Sequence, residues 1–230
     1  MGTIDQFDGT EIVDVIPEVG IEYSLQSEIE RVQETLRELD WFKEHGYAPD
    51  LGWPKGFNPD SASIDDVGGL VEEEYVEDNY IPKAEKVRAL IQAHGGKFFL
   101  GLKRLGMDLP SSYVIRFTRY GTAGSYYPPD TIVLNIVRRP DPIRTIFHEI
   151  VHLAVESLVV RHKLDQLTKE RIVDTVLARI MDGAEGFVRV QADPPHSKEI
   201  ANLFDQHFPD IAKICSLLAD IIQPGKHDPL

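Results

Sequence analysis

The sequence has very little cysteine and no long apolar run. Cys215 is the only cysteine among 230 residues, so no disulfide can form within the chain. No apolar run approaches the roughly 20 residues that a membrane-spanning helix needs. The first residues carry neither a basic nor an apolar signal segment. We therefore expect a cytoplasmic globular protein without a membrane partner.

Basic residues are also scarce, since 24 Lys and Arg stand against 38 Asp and Glu and give a net charge of −14. Attraction to phosphate supplies most of the affinity of nucleic-acid-binding proteins, so this excess of acid argues against a general DNA or RNA partner. The imbalance is confined to residues 1–96, with 22 acidic and 7 basic residues, against 16 and 17 in residues 97–230. We divide the chain there into an acidic, mainly helical N-terminal region and a second region.

The N-terminal region is predicted to form helices between irregular segments. Residues 5–22 have the composition of a solvated, partly disordered leader. Ser27 and Glu30 form a capping-box pattern for the first helix. Residues 47–66 contain several prolines and glycines and are predicted to form a long loop. A later helix is expected to end at Gly95-Gly96, before a shorter helix.

The second region begins with strands and ends with helices. Residues 113–118 alternate with the period of a half-exposed strand, and residues 131–137 form a β-branched run of strand length. Asp141 is a suitable cap for a long helix, and Thr168 for the next. Two more helices are predicted over 197–207 and 210–222. The expected fold is α+β, with a small mixed sheet packed on the two long helices and further helices at both ends.

The motif that carries chemistry is His148-Glu149-Ile150-Val151-His152, an HExxH arrangement inside the first long helix. Residues four apart lie on the same face of a helix, so His148 and His152 can reach one ion. Glu149 is displaced around the helix and can reach a metal-bound water instead. Zn²⁺ is the metal that suits this pattern best, with one ion per chain.

A catalytic zinc needs a third protein ligand, and the downstream candidates are Glu156, His162, Glu170 and Asp174. Glu156 continues the same helix about 12 Å along its axis from His148, which is too far. Glu170 begins the next helix after a short connection, and such a hairpin returns it to the motif. Asp174 follows one turn later and is predicted to orient a ligand histidine.

The motif at 148–152, followed by Glu170-Arg171-Ile172-Val173-Asp174, resembles the gluzincin metallopeptidases, in which the thermolysin-like core carries HExxH and ExxxD. The resemblance covers about residues 113–181 and is closest in size to the minigluzincins. It implies that the two histidines and Glu170 hold zinc, that Glu149 is the general base and that Asp174 supports a ligand histidine. It also implies a peptide or protein substrate.

The resemblance further implies an extended edge strand that the substrate joins as an additional strand. Residues 131–137 stand in that place, so Val133 and Asn135 are the expected substrate-binding residues, together with Tyr127. Enzymes of this type also use a Tyr or His donor to stabilise the oxyanion. His162 is the first candidate for that donor, and Tyr127 is a weaker one.

Two alternatives to an active peptidase stay open. The chain could be a zinc-binding pseudopeptidase or interaction protein, or a peptidase that is autoinhibited by its N-terminal region, through residues 1–20 or 47–66. Arg138 and Arg139 either meet an acidic substrate or balance the acidic N-terminal region, and the composition favours the second. The sequence does not indicate how many copies of the chain associate.

Overall fold

The computed structural model describes residues 16–138, 141–184, 186–187 and 195–223. In chain order, the elements are β1 (Glu18–Glu22), α1 (Leu25–Arg37), α2 (Leu39–Glu44), α3 (Val67–Glu74), α4 (Ile81–Arg104), β2 (Ser112–Thr118), β3 (Gly124–Tyr127), β4 (Thr131–Asn135), α5 (Pro142–Arg161), α6 (Gln166–Ile180), α7 (Ser197–His207) and α8 (Ile211–Ile222). Short 3₁₀ helices lie at Ala48–Asp50, Ile64–Asp66 and Glu77–Asn79. The predicted α+β class is confirmed. None of the helices described here is long and apolar enough to cross a membrane.

The four strands form one mixed sheet in the order β1-β2-β4-β3. β1 and β4 lie parallel to β2, whereas β3 runs antiparallel to β4. The prediction that residues 131–137 form the edge strand is therefore wrong, because β4 is paired on both sides. β3 occupies that edge instead.

The sheet separates two layers of helices. Alternate residues of β2, such as Ile115 and Phe117, are buried in the main core together with Ile132 and Leu134 of β4. α5 packs on this side, and α4 and α6 lie against it. α1 packs against the sheet through β2, and its Arg31 reaches the side chains of β3. Pairing with β4, packing against α5 and the hydrogen bonds from Arg31 together fix the position of β3.

The N-terminal region is more ordered than its composition suggests. Residues 18–22, predicted to belong to a disordered leader, form β1, because backbone pairing with β2 does not depend on acidic side chains. The earlier part of that leader lies outside the described residues. The cap of α1 is Ser24, three residues before the predicted one, and its hydroxyl accepts a hydrogen bond from the Ser27 backbone at 3.1 Å. Residues 47–66 form the predicted long connection, with two short 3₁₀ turns.

Two helix boundaries differ from the predictions. α4 continues through Gly95-Gly96 as one helix of 24 residues, since Gly95 is buried beside Phe99 and packing outweighs the low helix propensity of glycine. α6 begins after Asp165, whose carboxylate accepts a hydrogen bond from the Thr168 backbone at 3.0 Å. The predicted α5, α7 and α8 are confirmed within a residue or two. These three helices have proline, serine or aspartate signals close to their starts.

A candidate metal centre

The connection between α5 and α6 is short, so the two helices form the expected hairpin. His148 and His152 lie on the face of α5 that meets α6, and Glu170 lies in the first turns of α6. The structure thus brings Glu170 to two histidines that precede it by 22 and 18 residues in the chain. All three are largely buried, with side-chain exposures of 4%, 3% and 12%.

The three potential ligand atoms form a small triangle. His148 Nε2 lies 3.0 Å from His152 Nε2, and Glu170 Oε2 lies 3.1 and 3.4 Å from these two nitrogens. Ligand atoms at about 2.0–2.1 Å from a tetrahedral ion are themselves about 3.3–3.4 Å apart. The spacing and the donor types fit a metal ion, and the group can hold one.

The other ring nitrogen of His148 faces Asp174. Its Nδ1 lies 3.2 Å from Asp174 Oδ1, which also accepts a hydrogen bond from Arg144 at 2.8 Å. Burial lowers the pKa of His148, but the carboxylates of Asp174 and Glu170 outweigh it and raise that pKa to about 9. Burial opposes ionisation of Glu170, yet hydrogen bonds from both histidines hold its pKa well below the usual range. Asp174 therefore occupies the orienting position that the sequence predicts.

Glu149 lies beside the triangle and under strand β3. Its side chain is 8% exposed, and burial raises the pKa of the carboxyl. A Cβ atom at Gly124 would stand 2.5 Å from Glu149 Oε1 and 2.7 Å from Thr145 Cγ2. Glycine thus lets the edge strand approach the carboxylate closely.

The metal site lies in a cleft of about 870 Å³ between two walls. One wall is strand β3 with the turn that precedes it, and the other comes from α2 and the 3₁₀ turn after it. The residues of this second wall are Glu38, Trp41, Phe42, Tyr47 and Asp50. We call the space between them the cleft.

Tyr47 is a cleft residue that the sequence did not single out. Burial, followed by the charge of Glu170 and then that of Glu149, raises the pKa of its phenol, whereas a hydrogen bond with Gln166 opposes this rise. Tyr47 lines the cleft together with Gln166 and Glu170, and Gln166 donates to Glu170 Oε1 at 2.8 Å, so the phenol lies on the same side of the cleft as the candidate metal site. No local pattern predicts this, because Tyr47 and Glu170 meet only through the tertiary fold.

Tyr126 on β3 was also not assigned to the site. Its ring stacks on that of His152, with centroids 4.8 Å apart and an interplanar angle of 6°. Its hydroxyl donates to Glu156 at 2.7 Å and accepts from Lys169 at 3.0 Å. Glu156 thus supports the cleft without approaching the metal site, as its position on α5 predicts.

Three predicted residues do not serve the expected roles. His162 ends α5 about 15 Å along the axis from His152 and does not line the cleft, so its assignment as oxyanion donor is wrong. Val133 and Asn135 belong to the interior strand β4 and are 4% and 1% exposed, so a peptide cannot reach them. Asn135 instead donates to the carbonyls of Arg119 and Tyr120, which fixes a turn.

Tyr127 does line the cleft, and its hydroxyl accepts a hydrogen bond from Arg31 Nη1 at 2.9 Å.

Comparison of the chain with models of protein families, with curated proteins and with solved protein structures gives no match. Support for the candidate metal centre therefore comes from the arrangement of its own residues.

Proposed function

We propose that this protein is a zinc-dependent metallopeptidase that hydrolyses peptide bonds in the cleft. The observation that carries the proposal is the position of Glu149 beside the His148–His152–Glu170 triangle and directly under the edge strand. A metal ligand set, a carboxylate base and a strand edge for a peptide are then present in one cleft. This combination is what hydrolysis of an extended peptide requires.

Two imidazole nitrogens and one carboxylate oxygen form a ligand set that Zn²⁺ uses in catalytic sites, with the fourth position left for water or substrate. When bound there, zinc polarises a carbonyl and lowers the pKa of water. His148, His152 and Glu170 would hold it. Asp174 keeps the His148 ring oriented through its Nδ1, and Arg144 in turn fixes Asp174.

Glu149 acts as the general base in this proposal. It takes a proton from the attacking water and later passes it to the leaving amine. The carboxylate thus serves both proton transfers without leaving its place under Gly124.

Tyr47 is the best placed donor for the oxyanion. A tyrosine phenol is already protonated at neutral pH, and burial and the neighbouring carboxylates raise its pKa further. A neutral hydroxyl beside the metal site can donate a hydrogen bond to the oxygen on which negative charge develops. Tyr47 thus takes the role that the sequence had assigned to His162.

The test uses the full chain loaded with zinc and an unfolded protein as substrate, with products identified by mass spectrometry. Glu149→Gln should lower the rate by at least about 100-fold, because the amide cannot accept the proton. Its zinc content should equal that of the wild type, since Glu149 is not a ligand. Wild-type protein that cleaves nothing, or a variant that keeps the wild-type rate, would refute the proposal.

A further inference from the structure

The two ends of strand β3 face groups of opposite charge. β3 runs antiparallel to β4, and the Asn135 backbone donates to the Ala123 carbonyl at 3.0 Å. Arg138 follows Asn135 by three residues and therefore lies at the Gly124 end of the cleft, which it lines. Arg144 lines the same end, since the adjacent Thr145 lies against Gly124.

Arg138 is the basic residue that is available at the Gly124 end. Its side chain is exposed, and within the described part of the chain no carboxylate lies within 4 Å of it. Arg144 is 11% exposed, and its charge faces Asp174 at 2.8 Å. An acidic group that enters this end of the cleft would meet Arg138.

The Tyr127 end is acidic. Arg31 donates to the Tyr127 hydroxyl at 2.9 Å and is paired with Glu34 at 3.0 Å. Glu38 follows Glu34 by one helical turn, so both carboxylates lie near this end. Glu38 is the carboxylate near Tyr127 that also lines the cleft. Trp41 lies one turn further along the same wall, where its ring stacks on those of His45 and Tyr47.

The charges in the middle of the cleft do not reverse the change from the acidic Tyr127 end to the basic Gly124 end. Lys169 and Glu156 both bind the Tyr126 hydroxyl, at 3.0 and 2.7 Å. Their opposite charges therefore offset each other at one point. The difference in charge between Glu38 at one end of β3 and Arg138 at the other therefore remains.

We propose that the cleft selects an extended peptide segment with basic residues before the scissile bond and an acidic residue after it. The inference rests on the proposed function. A peptide that adds antiparallel to β3 places its N-terminal part beside Tyr127 and its C-terminal part beyond Gly124. Its basic residues then face Glu38, and its acidic residue faces Arg138.

The test compares two labelled peptides of the same composition, one with two lysines before and two glutamates after a neutral centre, and one with that order reversed. Binding to the zinc-loaded Glu149→Gln protein is measured by fluorescence anisotropy, so that no cleavage occurs. The first peptide should bind at least about fivefold more tightly at low salt, as exposed charge pairs allow. The difference should shrink as salt is added.

Arg138→Glu in that background should remove most of the preference. Arg161→Glu makes the same charge change at the exposed far end of α5 and should leave the preference intact. Equal affinities for the two peptides, tighter binding of the reversed peptide, or no effect of Arg138→Glu would overturn the inference.

The same peptides, with a neutral third one, separate this inference from the proposed function. If the wild type cleaves all three while the Glu149→Gln protein binds both charged orders equally, the metallopeptidase stands and the charge preference fails. If the Glu149→Gln protein prefers the first order but the wild type cleaves none, the preference stands and the peptidase proposal fails.

Discussion

At the scale of single residues, Gly124 is the point where the edge strand comes closest to the candidate base. A methyl group there would overlap Glu149 Oε1 and Thr145 Cγ2. We expect Gly124→Ala to displace the carboxylate or the strand and to lower kcat by about 100-fold, the effect of a misplacement of roughly 1 Å. The measurement is kcat together with zinc content, which should not change.

Gly69 provides the matched control, because a Cβ at that position of α3 would meet nothing within 4 Å. Gly69→Ala should keep the wild-type kcat. A Gly124→Ala variant with normal turnover would show that the close approach of β3 to Glu149 has no part in the reaction.

Tyr47 gives a second prediction at this scale. Tyr47→Phe removes only the hydroxyl that we assign to the oxyanion, so kcat should fall by about 100-fold, as when other oxyanion donors are lost. KM and zinc content should stay near wild-type values. Tyr75→Phe is the control, since that phenol lies in another part of the core and does not line the cleft. Equal rates for the two variants would remove Tyr47 from the mechanism.

The cluster of His148, His152 and Glu170 could be predicted from the sequence because its geometry is local. The spacing of His148 and His152 follows from the period of one helix, and Glu170 returns through one short hairpin. Tyr47 and Tyr126 could not be assigned in this way, since their places in the cleft depend on how α2 and β3 pack. His162 was assigned wrongly because its nearness in sequence suggested nearness in space.

At the scale of elements, α4 packs against the glutamate-bearing helix α6 through a glycine. A Cβ at Gly101 would lie 2.4 Å from Ile180 Cγ2 and 3.3 Å from its Cβ. Ile180 is β-branched and cannot swing away, so Gly101→Ala should lower the free energy of unfolding by about 1–3 kcal/mol. Urea denaturation followed by circular dichroism measures this.

Gly96 in the same helix is the matched position, where the nearest atom to an added Cβ is the end of Ile16 at 3.9 Å. Gly96→Ala should stabilise the protein by about 0.5–1 kcal/mol through helix propensity. If both substitutions changed the free energy of unfolding in the same direction, the result would contradict a close contact between α4 and α6.

The arrangement of elements was less predictable than their type. The run at 131–137 is a strand, but its place inside the sheet is set by pairing with β2 and β3, which the sequence does not encode locally. Residues 18–22 became β1 for the same reason. The Gly95-Gly96 pair was a reasonable stop signal, yet burial of Gly95 in α4 overrode it.

At the scale of the whole molecule, Glu28 connects the N-terminal region to the rest of the fold. This carboxylate of α1 is fully buried and accepts hydrogen bonds from the Tyr80 hydroxyl, the Thr118 hydroxyl and the Arg119 backbone. Glu28→Ala would leave three donors without an acceptor, so we expect a loss of about 3 kcal/mol in the free energy of unfolding. Chemical denaturation measures the loss.

Glu72→Ala is the comparison for Glu28, because that side chain is exposed on α3. It should change the free energy of unfolding by less than about 0.5 kcal/mol. Similar stabilities for the two variants would mean that Glu28 does not join α1 to the sheet in the way the structure shows.

We propose that His148, His152 and Glu170 together hold one zinc ion per chain. The most direct measurement is the elemental metal content of the purified full chain after zinc is supplied and excess metal removed, for wild type, Glu170→Ala and the exposed control Glu199→Ala. We predict one zinc in the wild type and the control, and much less in Glu170→Ala, which lacks a ligand. No zinc in the wild type, or equal zinc in all three proteins, would contradict this assignment of the metal ligands.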